Sequence, residues 1–268
     1  MREFALGLAF AVALGLSGQE ASAASQYKLL QFESHFVKWG NPHLGTAATV
    51  SYALVPQSMS FPGARNCGAL RPLDRLLSAS KIPASVFQSE LRAAFAEWEV
   101  AANIRFRDAK DPTAADILIG AQDAPRGWAF TNVDYADASD GRTRTISKAL
   151  ICLNPERPWK IGFDGNIDIY DLRYTLLHEI GHAIGLDHPG PKGELMSFKY
   201  RETFRSLQAG DAAGAGVLYG TTSPSVIAET PEKADMEAAH SQRVSGSQPQ
   251  LSLGDDKPSE APRPAGLK

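Results

Sequence analysis

Between residues 178 and 188 the chain reads His-Glu-Ile-Gly-His-Ala-Ile-Gly-Leu-Asp-His, and this stretch restricts the local fold tightly. Residues four apart on an α-helix stand one turn apart on the same face. A helix here would therefore aim the imidazoles of His178 and His182 at one point, with Glu179 offset by about 100° of helix rotation. Neutral imidazole nitrogens suit Zn2+ at bond lengths of about 2.0–2.1 Å, and a zinc that does chemistry takes three protein ligands and leaves a position open. A continuing helix would carry His188 away. Gly185 offers the left-handed residue that ends a helix, and neither Pro189 nor Gly190 favours continuation, so the chain can turn back and deliver His188. His178, His182 and His188 are the expected ligands of one catalytic Zn2+, and Glu179 is the expected proton carrier. A match at these positions by chance in a chain of this length has a frequency on the order of 10⁻⁵. His35, His43 and His240 have no partner at such a spacing.

Around this stretch the pattern alternates between the two regular periods. Residues 49–55 (TVSYALV) alternate and are rich in β-formers, the mark of a strand. Residues 56–82 carry several prolines and glycines and read as an irregular excursion. Leu91, Phe95, Trp98 and Ala102 then recur on one face of a helix, preceded by Ser85 and Gln88 at capping-box spacing. Short strands are expected at 104–106, 116–119, 129–135 and 146–153, and helices at about 171–186 and 207–219. This order predicts an α+β domain, a twisted mixed sheet backed by helices.

The ends differ from the middle. Arg2, an apolar run from Phe4 to Leu16 and Ala21-Ser22-Ala23 form a charged, apolar and small-residue series typical of an export signal over residues 1–23. The apolar run is short for a membrane span. Residues 24–47 read as a leader, 48–220 as the catalytic domain, and 221–268, rich in Pro, Ser, Glu and Gln, as a disordered tail. Only Cys67 and Cys152 are present. In an exported chain an even count favours a disulfide between them, the alternative being two buried thiols. The net charge of −3 leaves no basic footprint for nucleic acid. A monomer is expected, secreted or periplasmic, with no membrane partner.

The stretch 178–188 resembles the metzincin signature HExxHxxGxxH, and Met196, in Glu194-Leu195-Met196-Ser197, stands where metzincins carry their Met-turn. Over about residues 36–220 the chain looks most like the matrixins, with some serralysin-like character. The strand TVSYALV, the helix with Phe95 and Trp98, and the ending Val217-Leu218-Tyr219-Gly220 are similar to matrixin elements. The resemblance implies a zinc endopeptidase that holds an extended peptide along an edge strand near residues 128–132, with a pocket walled by residues 196–204. Related enzymes carry a tyrosine two residues after the methionine; here Phe198 stands there, and Tyr200 is nearby.

Some family features are missing. Phe130 and the segment Ile151-Cys152-Leu153 stand where matrixins place histidines for a second zinc, so one zinc is expected. A Ca2+ site is possible at Asp164, Asn166 and Asp168, but the spacing fits a polar turn better. Arg65-Asn66-Cys67-Gly68 faintly echoes the matrixin latency motif on the wrong side of the first strand. An inactive protease-like binding protein and a zinc hydrolase of non-peptide amides are the alternative functions.

Overall fold

The computed structural model describes residues 26–136 and 141–222. The expected export signal and all but two residues of the expected tail lie outside the described residues. The chain opens with three short strands, β1 (Lys28–Leu29), β2 (Gln31–Phe32) and β3 (His35–Lys38). There follow β4 (Ala48–Leu54), β5 (Met59–Ser60), β6 (Ala69–Arg71), helices α1 (Asp74–Ser80) and α2 (Ala84–Ala101), then β7 (Ile104–Asp108), β8 (Ile117–Gln122), β9 (Ala129–Tyr135) and β10 (Thr143–Leu153). Two-residue strands β11 (Trp159–Lys160) and β12 (Tyr170–Asp171) precede helix α3 (Leu172–Ala183), and β13 (Leu186–Asp187) and helix α4 (Ala209–Tyr219) complete the described chain.

The five long strands run in the order β9-β10-β8-β4-β7. Neighbours within β10-β8-β4-β7 are parallel, and β9 alone is antiparallel, to β10. Among the described residues β9 pairs with β10 only, so its other edge is free. This is an α+β fold with a mixed sheet backed by helices.

The α2 face seen in the sequence is buried: Leu91, Phe95, Trp98 and Ala102 all lie inside. Phe95 is wedged between Tyr52 of β4 and Phe106 of β7, ring centroids 4.1 and 4.6 Å apart. The indole of Trp98 donates to the Leu177 carbonyl of α3 at 3.1 Å, which fixes α3 against α2. The capping box at Ser85 does not form. The N-cap falls two residues earlier, at Pro83, which has no side-chain cap; the proline ring already holds φ near its helical value. The excursion after β4 holds more order than its composition suggests, with β5, β6 and α1. The segment read as a leader also joins the fold: β3 pairs with β10 and β1 with β13.

A second, smaller core lies on the other face of the sheet. It gathers Val55, Leu70, Leu118 and Leu150 with Cys67 and Cys152, and Phe61 and Phe130 pack on it. Phe130, at the place of a family histidine, is thus part of an apolar cover. Cys67 and Cys152 are joined in a disulfide across 85 residues of sequence, so Cys67 is not a free thiol. In the chain-entropy account a loop this long allows up to ~4.5 kcal/mol of stabilisation. Reduction is expected to lower the melting temperature without raising activity. Thermal melts and activity assays with and without a reductant check this, and activation on reduction would overturn it.

Candidate metal centre

Helix α3, which carries His178 and His182, begins where its cap dictates. Asp171 is the N-cap, and its Oδ1 accepts the Tyr174 N–H at 2.8 Å. Such a cap satisfies an orphan donor of the first turn. Arg205 grips the same carboxylate with two N–H donors, at 2.8 and 3.0 Å. The helix ends at Ala183, and Gly185 takes φ +102°. A Cβ there would stand 2.2 Å from the Val37 carbonyl oxygen, so the turn needs glycine twice over: for its dihedral and for its lack of a side chain. Leu186 and Asp187 then pair with β1, and His188 is delivered back over the helix.

The Nε2 atoms of His178, His182 and His188 converge, with separations of 2.9 Å (178 to 188), 3.1 Å (178 to 182) and 3.1 Å (182 to 188). His178 Nδ1 donates to the Leu195 carbonyl and His182 Nδ1 to the Leu186 carbonyl, both at 2.9 Å. A carbonyl can only accept, so on these rings the proton is on Nδ1 and the lone pair is on Nε2. Burial, reinforced by the neighbouring imidazoles, pushes the His178 pKa well below the usual histidine value, and burial pushes that of His188 down to about 3. Facing lone pairs repel unless a cation lies among them. Nitrogens on a tetrahedral zinc lie roughly 3.3 Å apart, so the donor set fits that ion. Among the described residues this is the one such group of histidine, cysteine and acidic side chains.

Glu179 is 6% exposed, and burial raises its carboxyl above the usual range, opposed by the neighbouring His182 and by the Thr131 hydroxyl. The turn behind the site is held from α4. Leu195 and Met196 donate their N–H groups to the Asp211 carboxylate at 2.8 and 2.9 Å. Leu195 in turn accepts from His178, so Asp211 orients a candidate ligand through one peptide, the kind of outer support metal sites use. Met196 is buried against the helix; a Cβ at Gly181 would meet its Sδ at 2.2 Å. Spacing gave no hint of Asp211 in this role. The Gln208–Asp211 reciprocal cap on α4 was the one legible sign of that residue.

Phe198 is exposed, its ring 6.2 Å from that of His188. Tyr200 points elsewhere. Its hydroxyl accepts from the Asp171 N–H at 2.9 Å and donates to Glu202 at 3.0 Å. Its ring belongs to a column of Trp128, Tyr170 and Tyr200 with centroids 3.9 and 4.2 Å apart, closed edge-on by Tyr174. The column ties the start of β9, the start of α3 and the loop after Met196 together.

The polar turn at Asp164, Asn166 and Asp168 holds a cation of its own. The Lys160 ammonium donates to Asp164, to the Asn166 carbonyl at 2.7 Å and to Glu202, 2.5 Å away. Glu202 also accepts the N–H groups of Asp164 and Gly165, at 3.1 and 2.6 Å. Sequence reasoning overlooked both Lys160 and Glu202.

The helix-borne triad of His178, His182 and His188, set over the turn at Met196, is a group that could hold a metal ion. A sequence model of the peptidase M10 family, matrixin, matches residues 76–220, and the chain belongs to that family, a family of zinc metallopeptidases. It is 30% identical over 142 residues to Metalloendoproteinase 4-MMP of Arabidopsis thaliana, covering 48% of this chain and 39% of that protein. It is 26% identical over 155 residues to Karilysin of Tannerella forsythia, covering 53% and 30%. With Matrilysin of Mus musculus the identity is 25% over 194 residues, covering 67% and 66%. The chain thus spans well under half the length of the first two. No helix among the described residues is long and apolar enough to cross a membrane.

Proposed function

We propose that this protein is an exported, zinc-dependent endopeptidase in which His178, His182 and His188 hold one Zn2+ and Glu179 carries the proton. The observation that carries this reading is the convergence of three Nε2 atoms within 3.1 Å beside a buried carboxylate. Zinc, when bound, supplies a Lewis acid that lowers the pKa of a water molecule and polarises a carbonyl. Glu179 takes the proton of the attacking water and hands it to the leaving nitrogen. No serine or cysteine nucleophile is required. The free edge of β9 can pair main chain to main chain with an extended peptide, which gives affinity with little sequence preference. The loop after Met196, with exposed Phe198 at its start, borders the centre on the other side. Export is supported by the residues 1–23 pattern and by the disulfide, a bond of oxidising compartments.

The experiment is hydrolysis of casein and of a quenched peptide library by the purified chain, with and without a chelator. Chelator-sensitive cleavage is expected. Zinc bound without cleavage of any peptide would overturn the reading. Metal analysis of the same sample is expected to give one zinc per chain, because one triad is present among the described residues. Two tightly held zinc ions would defeat that expectation.

A further inference from the structure

Thr131 lies on the inner face of β9, between Ala129 and Val133, which pack on the main core. Its Oγ1 is 2.7 Å from Glu179 Oε2 and 3.0 Å from the Glu179 carbonyl oxygen. β-Branching restricts the threonine side chain to few rotamers. The strand beneath it is pinned as well. β9 pairs with β10, and the next residue, Asn132, accepts the N–H groups of Asn66 and Cys67 on its Oδ1 at 3.2 and 3.0 Å. Cys67 is fixed in turn by its disulfide to β10. The hydroxyl is therefore presented to Glu179 from a rigid platform.

We propose that Thr131 is a positioning residue for Glu179, an inference that rests on Glu179 being the proton carrier. A carboxylate has two oxygens, and only one needs to exchange protons with the reactants. The Thr131 O–H donates to Oε2 and so reserves Oε1 for the reaction. An O–H bond of water breaks as Oε1–H forms and the water oxygen bonds to the carbonyl carbon; later Oε1–H breaks as the C–N bond breaks and the leaving nitrogen gains that proton. Through both transfers Oε2 keeps the hydrogen bond from Thr131, whose own proton never leaves its oxygen. The carboxyl group need not turn between its two tasks. Because Thr131 belongs to the strand that would pair with substrate, the same strand sets both the peptide and the group that acts on it.

The test compares Thr131→Val, which keeps the shape and removes the hydroxyl, with Thr131→Ser, which restores it. Valine is expected to lower kcat by about tenfold or more, the weight of one hydrogen bond to a charged group. KM, zinc content and melting temperature should stay near wild type, and serine should recover most of kcat. On the residual rate left by Glu179→Ala, about 10²–10⁴ below wild type, the valine change should have no further effect. A second readout needs neither zinc nor turnover. In the zinc-free protein, the antisymmetric carboxylate stretch of Glu179, identified as the infrared band missing from Glu179→Ala, should shift in Thr131→Val and return in Thr131→Ser. An unshifted band, an undiminished kcat, or an equal loss in the Glu179→Ala background would each overturn the role of Thr131. A fully active Glu179→Ala protein would overturn the reading of Glu179 itself, and this role with it.

Discussion

Replacing Glu179 by alanine is expected to cut peptide hydrolysis to a trace and leave one zinc on the chain. The imidazoles of His178 and His182 do not depend on Glu179 for their orientation. His178 and His182 are aimed by the Leu195 and Leu186 carbonyls, and the helix that carries them starts at the Asp171 cap. What disappears is the group that accepts and returns a proton, a contribution of about 10²–10⁴ in rate. Stability should hardly suffer, since a buried carboxyl raised by desolvation leaves with the mutation. Zinc analysis and turnover on one preparation decide the matter: a zinc-loaded variant that keeps a tenth or so of the activity, well above the loss expected for a proton carrier, would show that Glu179 is not the base.

Gly185→Ala is expected to have the larger structural effect. The residue sits at φ +102° and its added carbon would lie 2.2 Å from the Val37 carbonyl oxygen, which belongs to a paired strand. Backbone strain and overpacking together cost on the order of 4 kcal/mol, or a fall of about 10 °C in melting temperature. Relief of the clash moves the segment that carries His188, so the variant should also retain much less zinc. Gly190→Ala is the control: an added carbon there meets only the end of the Gln26 side chain, at 4.0 Å. Melting curves and metal content of the two variants check this. A Gly185→Ala protein with wild-type stability and zinc would sink the argument that this turn delivers the third histidine.

Much of the fold could be read from periodicity. α2 announces itself through Leu91, Phe95 and Trp98, and β9 covers the residues 129–135 expected to form a strand. The triad was legible because helix pitch converts a four-residue spacing into a shared direction and Gly185 marks the return. What stayed hidden acts across long separations. Thr131 meets Glu179 at a sequence distance of 48, and Asp211 reaches Leu195 and Met196 from α4, 16 and 15 residues on. One side chain bonded to one distant peptide leaves no repeat for a local pattern to reveal. β1, β2 and β3 escaped for a related reason: strands of two to four residues are too short to show alternation. Cys67 and Cys152 were found by counting, yet nothing in the count told that their bridge sits in its own apolar cluster under Phe130.

The lysine at the turn before α3 changes what the surroundings can do to this protein. A divalent ion held among Asp164, Asn166 and Glu202 would be a second solute, its occupancy following its concentration. An ammonium carried on the chain has no such exchange: it is present at fixed stoichiometry in dilute buffer, in seawater or in excess chelator. Glu202, on the loop after Met196, and Tyr200, stacked in the aromatic column, are thereby referred to an anchor that dialysis cannot remove. Chelation would then strip the histidine centre while leaving this wall standing, and readdition of zinc alone would meet a site whose border had never come apart.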